Sequence, residues 1–268
     1  AAVHPFFGPA QDTATAQNFI VGFPDLAPTD ETIQTLRAVY LGLATEVDHH
    51  IGRVVQFLRD SGQYDGTMII ITADHGEMLG DHHMWGKFSV YDAAYHTPLI
   101  IRIPGNEEQA GAQISAPTES IDLAPTILDW VGKDIPNAMD GKSLLPLVTG
   151  TIPDTWRQYS FSELDFADPV TPTLWEVGLG TNASTSNLSI LRDSRFTLVE
   201  FAAENLPPLL FDHEGAGEMA DVAKDPAFAP DLTRLTRAIL RHRMQNMDHT
   251  LSMDMITTSG PKSHRRQR

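Results

Sequence analysis

The sequence predicts an α/β fold, a sheet layered with helices and followed by a small α+β appendage. Three observations carry that prediction. Apolar residues recur every three or four positions across Asp30–Ser61, and short apolar runs rich in β-branched residues occupy 67–73 and 98–103. Helical patterning then returns at Ser120–Val131. Alternation of these two periodicities is the sequence form of helices packed on a sheet.

Each element follows from local chemistry. Ile33, Leu36, Tyr40, Leu43, Val47, Ile51, Val54 and Leu58 form one stripe of the long helix, which Thr29 or Asp30 caps and Gly62 ends. Thr67–Ala73 comes next. Its short β-branched run predicts a buried strand of the parallel kind. Pro98–Ile103, closed by Pro104-Gly105, is a second strand. A helix beginning near Asp122 tolerates Pro125 in its first turn and stops at Gly132.

The texture changes near Gly150, which divides the chain into 1–150 and a smaller subdomain at 151–268. Residues 151–187 are rich in Pro, Thr, Ser and Asn and predict a long loop or an irregular excursion. Leu188–Arg192 and Arg195–Phe201 flank Asp193-Ser194 as a β-hairpin. Leu209–Phe211 predicts a further strand, and Asp231 to about Met247 a helix. The final PKSHRRQR reads as a basic, disordered tail.

Composition excludes several classes. The 19 basic and 35 acidic residues give a net charge of −16, which argues against nucleic acid or an anionic membrane as partner. No run reaches the ~18 apolar residues of a membrane span. A small anionic substrate stays compatible, since a local metal ion and one lysine override the overall field. There is no cysteine, hence no disulfide, thiolate ligand or cysteine-derived nucleophile within these residues. Asn182 and Asn187 match the glycosylation pattern, a motif too short to weigh.

Chemistry concentrates in IIITADHGEMLGDHHMWGK, residues 69–87. Asp74 and His75 sit just beyond a strand's carboxyl end, where α/β sheets place ligands. A carboxylate beside an imidazole supplies half of a divalent metal site, and Gly76 lets the backbone turn or approach closely. Lys87 is either a solvated charge or a fixed cation for a phosphoryl or sulfuryl oxygen. His82 and His83 read as ordinary loop residues rather than ligands. His49 and His50 lie on the long helix at adjacent positions that cannot face one ligand, and His4 sits in an irregular amino-terminal segment. No Walker loop, nucleophile elbow or dinucleotide fingerprint is present.

TADHGEMLGDHHMWGK, TPLIIRIPG and SIDLAPTILDWVGKDIPNAMDGKSLLPLVTG together resemble the sulfatase-like branch of the alkaline phosphatase superfamily. YLGLATEVDHHIGRVVQFLRDSGQYDGTMI, the GDHHMWGK form of the loop and FAAENLPPLLFD narrow the likeness to bacterial phosphonate monoester hydrolases. The resemblance implies a partial alkaline-phosphatase-like sheet within 1–150. It implies Asp74 and His75 as metal ligands and Lys87 as a catalytic, substrate-oxygen-binding lysine. It further implies one divalent ion (Mn²⁺ or Ca²⁺), a formylglycine nucleophile, a small anionic ester substrate, a homo-oligomer of tetrameric type and a cytoplasmic location, with the periplasm as alternative. Counterparts of the other metal ligands, the nucleophile and a further histidine lie outside these 268 residues. With its start at Ala1 inside a polar stretch, the chain reads as the carboxyl-terminal part of such a hydrolase, inactive by itself. An arylsulfatase proper, or a non-catalytic truncated remnant, are the competing readings.

Overall fold

The computed structural model describes residues 4–246 and 254–263, apart from 14, 21, 24, 25 and 28. They fall into two compact units, one of Ala1–Ala112, Leu164–Asn187 and Phe201–Leu206, the other of Gln113–Glu163, Leu188–Glu200 and Pro207–Arg268.

The first unit opens with two short helices, α1 (Phe7–Thr13) and α2 (Ala16–Phe19), where the sequence suggests an irregular segment. Their signal is tertiary rather than periodic. Phe6 and Phe7 are buried, Phe6 against the rings of Phe166 and Phe201 and Phe7 stacked on Tyr91. Helix α3 spans Asp30–Asp60, with the Thr29 hydroxyl accepting a hydrogen bond from the Thr32 amide at 3.2 Å. Gly62 closes it in the left-handed region, at φ 69°. No residue of α3 is buried. Tyr40, Leu43, Val47 and Val54, all on the predicted apolar stripe, are 42–60% exposed.

Strand β1 (Ile69–Thr72), the four-residue helix α4 (Asp92–Tyr95) and strand β2 (Leu99–Arg102) follow. The parallel reading of β1 is corrected here. Among the described residues β1 pairs with β2 in an antiparallel two-stranded sheet, Ile69 opposite Arg102 and Thr72 opposite Leu99. Its residues are half-buried or exposed. An apolar β-branched run specifies an extended, water-averse strand and carries no information about its partner's direction. Direction comes from the intervening chain, which folds back so that the Gly76 amide reaches the Ala94 carbonyl at 2.8 Å.

The elements after Gly105 are α5 (Leu123–Trp130), α6 (Leu145–Val148), β3 (Ser160–Asp165), α7 (Leu174–Leu179), β4 (Asn187–Arg192), β5 (Phe196–Phe201), β6 (Leu209–Asp212), α8 (Ala229–Asn246), β7 (Asp254–Thr257) and β8 (Gly260–Ser263). A 3₁₀ turn at Ser120–Asp122 leads into α5, and Gly132 follows its end at φ 68°. The four-stranded sheet runs β3-β4-β5-β6, with β5 and β6 antiparallel. Leu191, Phe196, Leu198 and Leu210 from the sheet close on Leu235 and Ile239 of α8, two residues one helical turn apart and therefore on one face.

The long loop predicted over 151–187 is also corrected, since it contains β3 and α7. Helix α7 starts with a capping box, in which Thr173 accepts from the Glu176 amide and Glu176 accepts from the Thr173 amide. That Thr-x-x-Glu signal stands in the sequence, hidden by the prolines before it. The tail is likewise ordered in part. Gly260–Ser263 pairs with Asp254–Thr257, while 264–268 lie outside the described residues.

Candidate functional site

Asp74, His75 and Gly76 leave the end of β1 as a turn. Gly76 is required by close approach rather than by a left-handed backbone, because a Cβ there would lie 1.9 Å from the Ala93 carbonyl oxygen. The same tight contact brings the Gly76 amide onto Ala94. The His75 imidazole then folds back on its own turn, with Nδ1 2.8 Å from the Gly76 carbonyl oxygen.

That contact fixes the tautomer. A carbonyl oxygen only accepts, so Nδ1 carries the hydrogen, and in the neutral ring Nε2 presents its lone pair. Lys87 donates to that lone pair, with Nζ 2.7 Å from Nε2. The Asp74 carboxylate stands 3.5 Å from the same nitrogen. Asp74 is 86% and His75 39% exposed at the side chain. A carboxylate oxygen, an imidazole lone pair and an ammonium thus converge on one open point.

The loop between His75 and Lys87 is tightly tied. The Met78 amide donates to the Gly86 carbonyl and the Gly80 amide to the Met84 carbonyl, both at 2.8 Å. Met78 and Met84 are fully buried beneath it. Arg37 of α3 braces the outer turn, its Nε donating to the Leu79 carbonyl at 2.7 Å and its Nη2 to Asp81 at 2.8 Å. Leu79, His82 and His83 adopt positive φ of 48°, 51° and 62°, an arrangement non-glycine residues take only when surroundings hold them.

His82 is held by its ring, which stacks on Tyr91 at 3.7 Å and 7°. Burial lowers its pKa from the ordinary value, and the Asp81 charge opposes that shift. Its ring packs within the loop. His49 and His50 lie on the exposed length of α3, His50 3.7 Å from Glu46. His4 accepts from the Phe6 amide through Nδ1 and stacks on Phe201 at 5.2 Å.

A divalent ion fits the Asp74–His75 pair in part. Two donors sharing one ion, each about 2.0–2.2 Å from it, lie about 3–3.5 Å apart, and the imidazole shows the tautomer that ligation needs, with Lys87 having to turn off Nε2 to admit the ion. Among the described residues no group of three or more His, Cys, Asp or Glu side chains gathers to complete a site. Sequence reasoning missed Glu77 and Arg37, whose roles appear only once the loop is closed in three dimensions.

Residues 2–133 match the sulfatase family model and 80–245 the model described as N-sulphoglucosamine sulphohydrolase, C-terminal. A phosphonate monoester hydrolase from Silicibacter pomeroyi superposes with a TM-score of 0.89 at 65% identity, over 99% of this chain and 52% of its own. The multifunctional alkaline phosphatase superfamily protein PehA of Trinickia caryophylli is 38% identical over 94% of this chain and 49% of its own. Arylsulfatase K of Danio rerio is 30% identical over 79% and 38% respectively. The chain spans about half the length of the curated relatives it matches, or less.

Proposed function

The chain belongs to the sulfatase-like branch of the alkaline phosphatase superfamily, and on that premise we propose that it serves a metal-dependent hydrolase of phosphonate monoesters, phosphodiesters or sulfate esters. The observation that carries this reading is the convergence of Asp74, His75 and Lys87 on one point, with the His75 lone pair turned towards it. Residues 1–150 would then be the catalytic part and 151–268 a supporting subdomain.

Each residue has a distinct task. Asp74 and His75 would hold one divalent ion, with the imidazole favouring Mn²⁺ over Ca²⁺ in the donor set. Such an ion, when bound, polarises an anionic ester and activates an oxygen nucleophile. Gly76 keeps His75 in the ligating tautomer through its carbonyl. Lys87 binds a non-bridging oxygen of the ester and stabilises the negative charge that gathers there in the transition state. The formylglycine of this reading comes from outside these 268 residues, which hold no cysteine. The homo-oligomer and the cytoplasmic setting rest on family likeness.

The likeness to arylsulfatase K favours one variant, an arylsulfatase proper. Specificity constants of the full-length protein for a phenyl phosphonate monoester and an aryl sulfate separate the two. The phosphonate ester is expected to be preferred, and Lys87→Ala to lower its kcat by about 10²–10³-fold. A reversed ranking gives the arylsulfatase reading. Absence of turnover of either ester contradicts the hydrolase reading.

A further inference from the structure

Lys87 lies twelve positions after His75 in the chain, and its ammonium nevertheless meets the His75 ring at 2.7 Å. Something has to fix that distance, because a lysine stem carries much rotamer freedom and a loop of this length carries more. Glu77 stands where the two ends of the loop cross. Its Oε1 accepts from the Gly86 amide at 2.7 Å and from the Leu79 amide at 3.1 Å. The Gly86 carbonyl is held from the same side by the Met78 amide at 2.8 Å. Both polar groups of the residue preceding Lys87 are therefore tied to the strand-end turn, the amide by a side chain and the carbonyl by the backbone.

We infer that Glu77 is a positioning residue, a carboxylate clamp that fixes the backbone carrying Lys87 and so holds its ammonium beside the Asp74–His75 pair. The clamp is charge-assisted, so its hydrogen bonds are about twice as strong as neutral ones. The two amides converge on one oxygen because the backbone around them is wound left-handed, with φ 48° at Leu79 and 74° at Gly86. Removing the carboxylate leaves two part-buried amides without that acceptor and frees the chain on which Lys87 is mounted. The remaining ties on this stretch are weaker fixings of the same residues. The Ser89 amide holds the Lys87 carbonyl at 2.8 Å, and the Met78 amide holds Gly86. Glu77 touches neither the substrate point nor the metal donors, and acts only through where Lys87 stands.

This inference rests on the role proposed for Lys87, and a double-mutant cycle tests it in the full-length protein. Glu77→Ala is expected to lower kcat towards a phenyl phosphonate ester by 10–100-fold with little change in KM, since a misplacement of about 1 Å costs about that much. Glu77→Gln, which keeps an acceptor oxygen at the same reach, is expected to restore most of the loss. In a Lys87→Ala background the Glu77→Ala loss is expected to disappear; a full, additive loss there overturns the inference. Hydrogen exchange supplies a readout free of activity. The Gly86 amide in Glu77→Ala is expected to exchange at least tenfold faster, while the Gly76 amide, held by Ala94, is unchanged. Equal exchange at Gly86 in variant and parent overturns the clamp, even in a protein that hydrolyses no ester. Should Glu77→Ala fail to fold, Glu77→Asp, one methylene too short to span the loop, takes its place in both measurements.

Discussion

Gly76 serves His75 twice. Its carbonyl takes the Nδ1 hydrogen, which leaves Nε2 as an acceptor beside Asp74 and Lys87. Its missing side chain lets the Ala93 carbonyl approach to a distance no Cβ tolerates. Gly76→Ala therefore has to push a backbone segment aside rather than a flexible side chain. The expected loss is at least about 2 kcal/mol, at the upper part of the usual range for overpacking, read as a shift of the urea midpoint at constant slope. A variant within about 0.5 kcal/mol of the parent would contradict the close packing of this turn.

Among elements, the start of α5 is tied through one buried carboxylate. Asp122 is fully buried, and its two oxygens accept both Arg157 terminal nitrogens at 2.6 and 2.7 Å. The same carboxylate takes the Glu119 and Lys142 amides at 2.8 Å each. Arg157 also pairs with Glu119 at 3.0 Å. Removing one partner of such a buried pair strands the other charge, so Asp122→Ala is expected to cost about 3–5 kcal/mol in chemical denaturation. A loss under 1 kcal/mol would show the cluster to be dispensable. Nothing in the sequence announces this knot, because its central pair, Asp122 and Arg157, is 35 positions apart. What the sequence does announce is local. Helix α3 is legible from Thr29 to Gly62 because stripe, cap and stop are all encoded within neighbouring residues, and the β4–β5 hairpin for the same reason. Helix α7 and strand β3 are not, since the prolines and serines around them mask one capping box. The antiparallel partner of β1 is set by a distant fold-back that leaves no periodic trace. Within the site, Asp74, His75 and Lys87 stand out by residue type and by their place after a strand. Glu77 and Arg37 do not, because a charged loop residue looks the same in sequence whether it is solvated or bridging.

At the scale of the whole molecule, α3 presents Tyr40, Leu43, Val47 and Val54 to water, although their spacing is that of a buried stripe. Each such side chain, about half exposed, forgoes on the order of 1 kcal/mol of burial, and contiguous exposed apolar surface favours association. The 268-residue chain by itself is expected to self-associate in sedimentation experiments despite its charge of −16; a monomer with one sharp unfolding transition would contradict this. Central to the proposed chemistry is that Asp74 and His75 hold a divalent ion beside Lys87. Titrating Mn²⁺ into the chelator-stripped full-length protein, with bound metal and ester hydrolysis followed together, tests it most directly. One ion per chain with parallel recovery of turnover is the predicted result, with both lost in Asp74→Ala. Undiminished metal binding and hydrolysis in Asp74→Ala would contradict it.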